Sequence, residues 1–447
     1  MRYQITSPLV VFFIILSFAT VSFGIFGLTH GEGWSDLTSE NQPLAGDAGQ
    51  YNAYARNMTL RGVYAMGDSI FDNFREPGYP FFLFITYKVF GFFNFWAVRI
   101  IQLLSLALIG YFVYLVFLIY GQKKIGLFAG VLSVLIPYYG YYSVELTTEL
   151  MFSFLLTFSF FLLIKIIKTE KTNIFYYIAL GSVLGYSVLV RAQILFFPIV
   201  LFLVFLLVAK NSQVFKNIDM KKSAIGFMFF ILITGGWATY VYSQNGHFSI
   251  TDGRQGQLIY YRAVRSELSY KETIHYLSAW LKRSISGGRS DGFLDKYEFQ
   301  NLYEDYYQSV SNPQQVFEMR NKNLKTIINN FDTYLLGSGV EFVKLIFIEH
   351  TYAGSYNKYL RAGFYVGLYL LFLNSIVQFV FLKQKKFRLI FWLAMIYLFY
   401  NYLIITAFDA IPRYNTPYLT FYLLIGLIGI YPFVDRCFTS KLNSNYV

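Results

Sequence analysis

Ten apolar runs dominate this chain, near residues 8–28, 97–120, 125–141, 150–167, 174–191, 193–209, 223–242, 362–382, 389–407 and 417–434. A helix needs roughly 20 such residues to cross a bilayer, with a range of about 17–25. Within lipid no water satisfies the peptide groups, so each N–H and C=O must find its partner inside the segment. Helices meet that condition, whereas open strands do not. The fold class that follows is an all-α polytopic membrane protein with about ten transmembrane helices. Composition agrees, since only 14% of the 447 residues are charged, against about 25% in ordinary soluble proteins.

Basic residues orient the bundle. Lys123 and Lys124, the Lys165/Lys168/Lys171 cluster, the stretch Lys210 to Lys222, the stretch Lys383 to Arg388, and Arg436 fall on alternate sides of successive runs. The positive-inside rule makes that side cytoplasmic. Both termini are then cytoplasmic, in a multi-pass protein of the plasma (inner) membrane. No small-x-small cleavage site follows the first run, which is read as a retained helix. Orientation absorbs much of the net charge of +12, leaving no case for a nucleic-acid partner. Two long segments, 29–96 and 243–361, face outward. The chain divides into an N-terminal membrane module (1–242), an extracytoplasmic cap (243–361) and C-terminal membrane helices (362–447). Within the cap, a Gly-rich turn from Ser286 to Gly292 precedes two expected helices near 295–309 and 313–331. Cys437 is the single cysteine, which excludes an intramolecular disulfide. The four histidines, His30, His247, His275 and His350, lack metal-ligand spacing, and His247 stands out only because it follows a span.

The centres of the runs contain no Asp, Glu, Lys, Arg or His. Ion-coupled transporters bury such groups near the midplane. Here they collect at the outward ends of the helices, which points to chemistry at the membrane–water boundary. Four places carry them. Asp47, Gln50, Tyr51 and Tyr54 occupy one face if Gly46–Arg56 is helical. A carboxylate flanked by tyrosines suits a hydroxyl acceptor, and a helix-capping Asp47 explains the acid equally well. Arg75-Glu76-Pro77-Gly78-Tyr79-Pro80 offers a guanidinium fork matched to phosphate oxygens, with Tyr79 and the following apolar run meeting lipid. A loop-to-helix turn with Pro77 at the first helical position is the bland account. Glu145 and Glu149, four residues apart, form a carboxylate pair able to hold a divalent cation or a sugar, or simply acids favoured at a helix N-terminus. Arg191 ends one span comfortably for the helix dipole, but Arg413 precedes one, where the dipole disfavours it. Phosphate binding or an ion pair with Asp409 accounts for Arg413.

In order, these pieces resemble the polyprenyl-phosphate-sugar-dependent glycosyltransferases of the GT-C fold, a group that includes protein O-mannosyltransferases and the lipid A aminoarabinose transferase. The matching stretches are Asp47-x-x-x-Tyr51-x-x-x-Ala55, Arg75-x-Pro77-x-Tyr79-Pro80, AVRIIQ at 97–102, IPYYGYYSVELTTELMF at 136–152, GYSVLVRAQ at 185–193, NNFDTYL at 329–335, and Arg413-Tyr414-x-x-Pro417. The resemblance implies an enzyme that moves a sugar, with inversion, from a polyprenyl-phosphate donor to a lipid, glycan or protein acceptor on the extracytoplasmic face. Asp47 is then the general base. Arg75, Arg191 and Arg413 hold the donor phosphate, while Tyr51, Tyr54, Glu76, Tyr79 and Glu149 contact sugar or acceptor. A divalent cation, Mg or Mn, is the one cofactor implied, with Asp47 and Glu149 as its ligands. The chain departs from the pattern in two places: Ala48 follows Asp47 where relatives often carry Asp-Glu, and Glu149 stands where Asp is common. Two rival classes remain from the sequence, a lipid-linked oligosaccharide polymerase or ligase and a non-enzymatic lipid flippase or transporter. An acid essential in the first outward loop separates the first rival, and the uncharged span centres weigh against the second.

Overall fold

The computed structural model describes residues 7–29, 46–209, 216–286, 296–297, 302, 305, 313–346, 358–381, 387–407 and 412–443. They form seventeen α-helices and no strand among the described residues. The helices are α1 (Pro8–Thr29), α2 (Gly46–Arg61), α3 (Gly78–Phe90), α4 (Phe95–Ile119), α5 (Lys123–Val134), α6 (Pro137–Val144), α7 (Thr148–Lys168), α8 (Ile174–Val190) and α9 (Phe197–Ala209). After them come α10 (Met220–Asn245), α11 (Gly253–Ser266), α12 (Tyr270–Ser286), α13 (Pro313–Asn329), α14 (Phe331–Ile346), α15 (Lys358–Phe381), α16 (Arg388–Ala407) and α17 (Leu419–Asn443).

Each of the ten apolar runs falls on helix, and among the described residues five helices are long and apolar enough to cross a membrane, α1, α4, α7, α10 and α16, or six with the bent α5–α6 pair. The expected straight helix over 125–141 is broken by 53°. Pro137 is the cause: it has no N–H to donate into the preceding turn, and its ring pushes residue 136 out of the helical region. Ile136 accordingly sits at φ −58°, ψ 118°. The expectation that Glu145 and Glu149 share a helix face also fails. Glu145 is extended and ends α6, and α7 starts only at Thr148.

The span helices approach closely where glycines face each other. A methyl group added to Gly181 would lie 1.8 Å from the Gly226 carbonyl oxygen, so α8 and α10 meet backbone to backbone, the small-residue contact that membrane interiors favour. Around these contacts one apolar core runs through the bundle, from Ile15 and Ala19 on α1 to Tyr397 on α16 and Phe421 on α17.

The two ends of the bundle differ in charge. At one end the Lys168 ammonium lies 5.0 Å from the Tyr120 ring, Phe387 packs on Tyr120 and Tyr431, and Lys222 donates to the Thr172 carbonyl. At the other end, the start of α7, the end of α8 and the turn of 3₁₀ helix Pro412–Tyr418 before α17 converge with the short helices α2, α3 and α11. Lysines therefore gather at one end, and the acids and arginines of the candidate site gather at the other.

Candidate active site

Asp47 lies in the first turn of α2, and its two oxygens are shared between two guanidiniums. Arg75 Nη2 donates to Oδ1, and Arg413 Nη2 donates to Oδ2. The arginines come from positions 28 and 366 residues away. Burial alone would raise the Asp47 pKa, but the neighbouring charges of Arg413, Arg75 and Arg254 outweigh it and hold the carboxyl well below the usual range. Asp47 is therefore an anion at any physiological pH.

Arg75 is locked by its surroundings. Its Nε donates to Gln50 Oε1 at 2.7 Å, and its guanidinium lies 5.2 Å from the centre of the Tyr51 ring. Gln50 and Tyr51 are one turn beyond Asp47 on α2, as the i, i+3, i+4 spacing predicts. The Tyr64 hydroxyl donates to the Arg75 carbonyl at 2.9 Å. The Pro77-Gly78 pair then serves a purpose beyond a turn. A Cβ on Gly78 would sit 2.7 Å from backbone atoms of Leu189 and Val190, so only glycine lets this strand of chain lie against the last turn of α8. The Tyr186 hydroxyl, also on α8, donates to the Gly78 carbonyl at 2.8 Å. That contact brings Arg75 beside the residue that follows α8, Arg191.

Arg191 is buried and committed. Its Nη2 donates to Glu149 Oε1 at 2.5 Å and its Nε to Thr148 Oγ1 at 2.9 Å. Each partner suits its helix end, an acid at the start of α7 and a cation past the end of α8, so the two bland readings from sequence combine into one pair. Arg413 Nε stands 4.0 Å from the same Glu149 oxygen. Glu149 Oε2 and Arg413 Nε have no hydrogen-bond partner among the described residues. Asp409, the alternative partner for Arg413, lies outside the described residues.

A fourth arginine was not singled out by the sequence. The segment after α10 is stitched to the Arg75 loop: the Asp252 N–H and Thr251 Oγ1 donate to the Asn73 carbonyl at 3.2 and 2.9 Å, and Asn73 Nδ2 donates to Ser249 Oγ at 3.1 Å. This seats the start of α11 at the site and buries Arg254, which donates to Gln257 Oε1 at 2.8 Å and to the Tyr414 hydroxyl. Tyr414 also carries Arg191 and Arg413 near its ring, 5.5 and 5.9 Å from the centre. A usable signal existed for Arg254. Like Arg413, it is a cation at a helix N-terminus, where the dipole disfavours it.

Arg75, Arg191, Arg254 and Arg413 line a cavity of about 540 Å³, together with Asp47, Tyr51, Glu76 and Tyr414. Its walls continue into apolar residues of α10 and α16, among them Ala238 and Ile404. Burial pushes the Tyr51 hydroxyl up to about 12, with Asp47 and Glu76 adding to the rise against Arg75, so it stays a hydrogen-bond donor. Three predicted residues do not line this cavity. Tyr54 is fully buried, bonded to Asp72 and stacked on Tyr64. Tyr79 is also fully buried rather than facing lipid, and donates to Gln102 Oε1 at 2.7 Å. Glu149 lies behind Arg191 and Arg413. His247 bonds Asp252 at 2.8 Å, and its neighbours Phe248 and Ser249 reach the cavity in its place. His30 and His350, the Gly-rich turn after Ser286 and most of the helix expected near 295–309 lie outside the described residues. The helix expected near 313–331 is present as α13, Pro313–Asn329.

A divalent cation fits this donor set poorly. Both Asp47 oxygens accept from guanidiniums, Glu149 faces Arg191 and Arg413, and four cations surround the carboxylates. No group of three or more His, Cys, Asp or Glu able to hold a metal occurs among the described residues. Guanidinium forks have the geometry of phosphate oxygens, and here they share one cavity with apolar side chains such as Leu195, Phe196 and Ile404.

Residues 75–237 match the family model described as dolichyl-phosphate-mannose-protein mannosyltransferase. The resemblance seen in the sequence is borne out over that stretch, which carries Arg75, Glu76, Tyr79, Glu149 and Arg191. No curated protein matches the chain. Among solved structures it is similar to ArnT from Cupriavidus metallidurans in the apo state, with 12% identity and a TM-score of 0.42 over 93% of this chain and 76% of that one. It is also similar to ArnT from the same organism bound to undecaprenyl phosphate, with 13% identity and a TM-score of 0.42 over 97% and 80% of the two chains.

Proposed function

We propose that this protein is an inverting glycosyltransferase that takes its sugar from a polyprenyl phosphate of the dolichyl or undecaprenyl kind. The observation that carries the reading is one carboxylate, Asp47, set among four guanidiniums in a cavity that apolar side chains also line. The guanidiniums of Arg75, Arg254 and Arg413 take the phosphate, and Arg191 braces Glu149 behind them. The acceptor, a lipid, glycan or protein bearing a nucleophilic O–H, approaches Asp47. Its proton passes to an Asp47 oxygen as the acceptor oxygen bonds to the anomeric carbon. The bond from that carbon to the phosphate breaks on the opposite face, and its electron pair leaves on the phosphate oxygen. One base suffices, because the leaving phosphate needs no proton.

Negative charge grows on the phosphate during this step. Preorganised cations in a partly dry site stabilise such charge far more than water does. In this reading the arginines supply the whole of that stabilisation, and the reaction needs neither Mg nor Mn. Glu76, which lines the cavity beside Arg75, takes hydroxyls of the sugar or acceptor. The lysine-rich end of the bundle is cytoplasmic by the positive-inside rule, so the site opens on the extracytoplasmic face and both termini lie inside.

The test is turnover. Purified protein is incubated with a panel of polyprenyl-phosphate sugars, with and without EDTA, and released or transferred sugar is read by mass spectrometry. The expected result is turnover of one donor class that EDTA leaves intact and Asp47→Asn abolishes. Absence of turnover and of donor binding across the panel, in folded protein, refutes the reading.

A further inference from the structure

The proposed reaction asks two things of the same atoms. Asp47 must act as a base toward the acceptor, and Arg75 and Arg413 must offer N–H groups to the phosphate. In the structure those N–H groups are given to Asp47: Arg75 Nη2 to one oxygen and Arg413 Nη2 to the other. Arg75 is held in this pose, with its Nε donating to Gln50 at 2.7 Å and its carbonyl accepting from Tyr64, so Asp47 and a phosphate draw on one fixed guanidinium. Arg413 has more latitude, with a side chain 25% exposed and an Nε that bonds nothing among the described residues and stands 4.0 Å from Glu149.

We propose that Asp47 and the donor phosphate compete for the guanidiniums of Arg75 and Arg413, so that arrival of the phosphate frees the base. The inference rests on the glycosyltransferase reading above. Its physical ground is charge conservation in a buried place. A guanidinium removed from water is costly unless paired, and exchanging one anion for another keeps both arginines paired throughout. A carboxylate relieved of two charge-assisted hydrogen bonds is a stronger base than one that accepts both. Asp47 is therefore a weaker base toward the acceptor proton before the donor is seated than after, and the productive order of binding is donor first. After transfer, the polyprenyl phosphate product carries more negative charge than the diester donor. It holds the same arginines until it leaves, and Asp47, once it has released the acceptor proton to water, takes them back.

Binding of farnesyl phosphate to the full-length protein in detergent micelles tests this directly. Removing the competing charge with Asp47→Asn is expected to tighten binding at least about tenfold, equivalent to about 1.4 kcal/mol, while transfer is lost. If Asp47 merely aligns the arginines, the same variant binds equally or more weakly, and either result overturns the competition. Asp47→Ser, measured in the same way, serves if the asparagine variant does not fold. A measurement on unmodified protein is independent of both: carbodiimide labelling of Asp47, read by peptide mass spectrometry, is expected to rise when inorganic phosphate is added. Unchanged or slower labelling counts against the proposal. Wild-type protein that binds no farnesyl phosphate refutes the functional reading itself, an outcome distinct from unaltered affinity in the variant.

Discussion

Removing the Arg191 side chain is expected to damage stability before it damages chemistry. Arg191 and Glu149 are both buried, joined at 2.5 Å, with the carboxylate side chain only 2% exposed. Arg191→Met keeps an unbranched apolar stem and leaves Glu149 with its charge. Breaking a buried ion pair from one side costs about 3–5 kcal/mol, because the remaining charge is stranded. Arg413 Nε, 4.0 Å from the same oxygen, offers partial relief and places the expected loss near the lower end, about 3 kcal/mol. Thr148 loses its Arg191 partner as well. Neutralising the stranded acid reverses most of this, so Glu149→Gln combined with Arg191→Met is expected to fall short of the summed single losses by about 2 kcal/mol. Reversible unfolding in mixed micelles, titrated with denaturing detergent and followed by tryptophan fluorescence, measures all four proteins. Additivity within about 0.5 kcal/mol would show that the pair is not coupled and would refute the account of why these residues stand at adjoining helix ends.

Four other expectations follow from the same geometry. Arg254→Ala raises the KM for the donor at least about tenfold, the loss of roughly 1.5–3 kcal/mol that a charge-assisted hydrogen bond contributes, and Arg254→Lys recovers part of it; steady-state kinetics decide, and an unchanged KM removes Arg254 from the phosphate site. Gly78→Ala forces a methyl group to within 2.7 Å of the Leu189 and Val190 backbone and destabilises by about 1–3 kcal/mol through overpacking, with donor KM rising because the Arg75 loop is displaced; a variant with wild-type melting and kinetics contradicts the contact. Tyr54→Phe removes the bond to Asp72 and is expected to lower the melting temperature while leaving donor KM unaltered, since Tyr54 is outside the cavity. Acid sensitivity carries a sign that can be checked. The folded-state pKa of Asp47 lies below its unfolded value near 3.8, so its contribution to stability is full above about pH 4 and fades as pH falls further; kcat/KM is expected to show no acidic limb from Asp47 between pH 5 and 8, and one centred in that window would refute the clamped carboxylate.

Much of the site was legible because its chemistry is rare in such a sequence. A membrane chain with uncharged span centres has few places for arginine and aspartate, so Asp47, Arg75, Arg191 and Arg413 stand out, and all four line the cavity. Apolar length determined that the chain is helical, since peptide groups in lipid admit little else, and helical spacing put Gln50 and Tyr51 one turn from Asp47. What periodicity could not supply was pairing at a distance. The same i, i+4, i+7 stripe that carries Tyr51 into the cavity carries Tyr54 onto Asp72, because the direction a helix face looks depends on what packs against it. Pro137 breaks one predicted helix, and an extended Glu145 separates it from Glu149, details of backbone angle that an apolar run conceals. Arg254 joins the site because Ser249, Thr251 and Asp252 hydrogen-bond to residues 73–74, across nearly 180 positions of chain. From the sequence came the residue types at the boundary, with phosphate binding, ion pairing and helix capping all open as their purpose. Tertiary structure alone decided that two of those arginines would meet on one carboxylate, because charges distant in sequence interact only through the contacts of a folded chain.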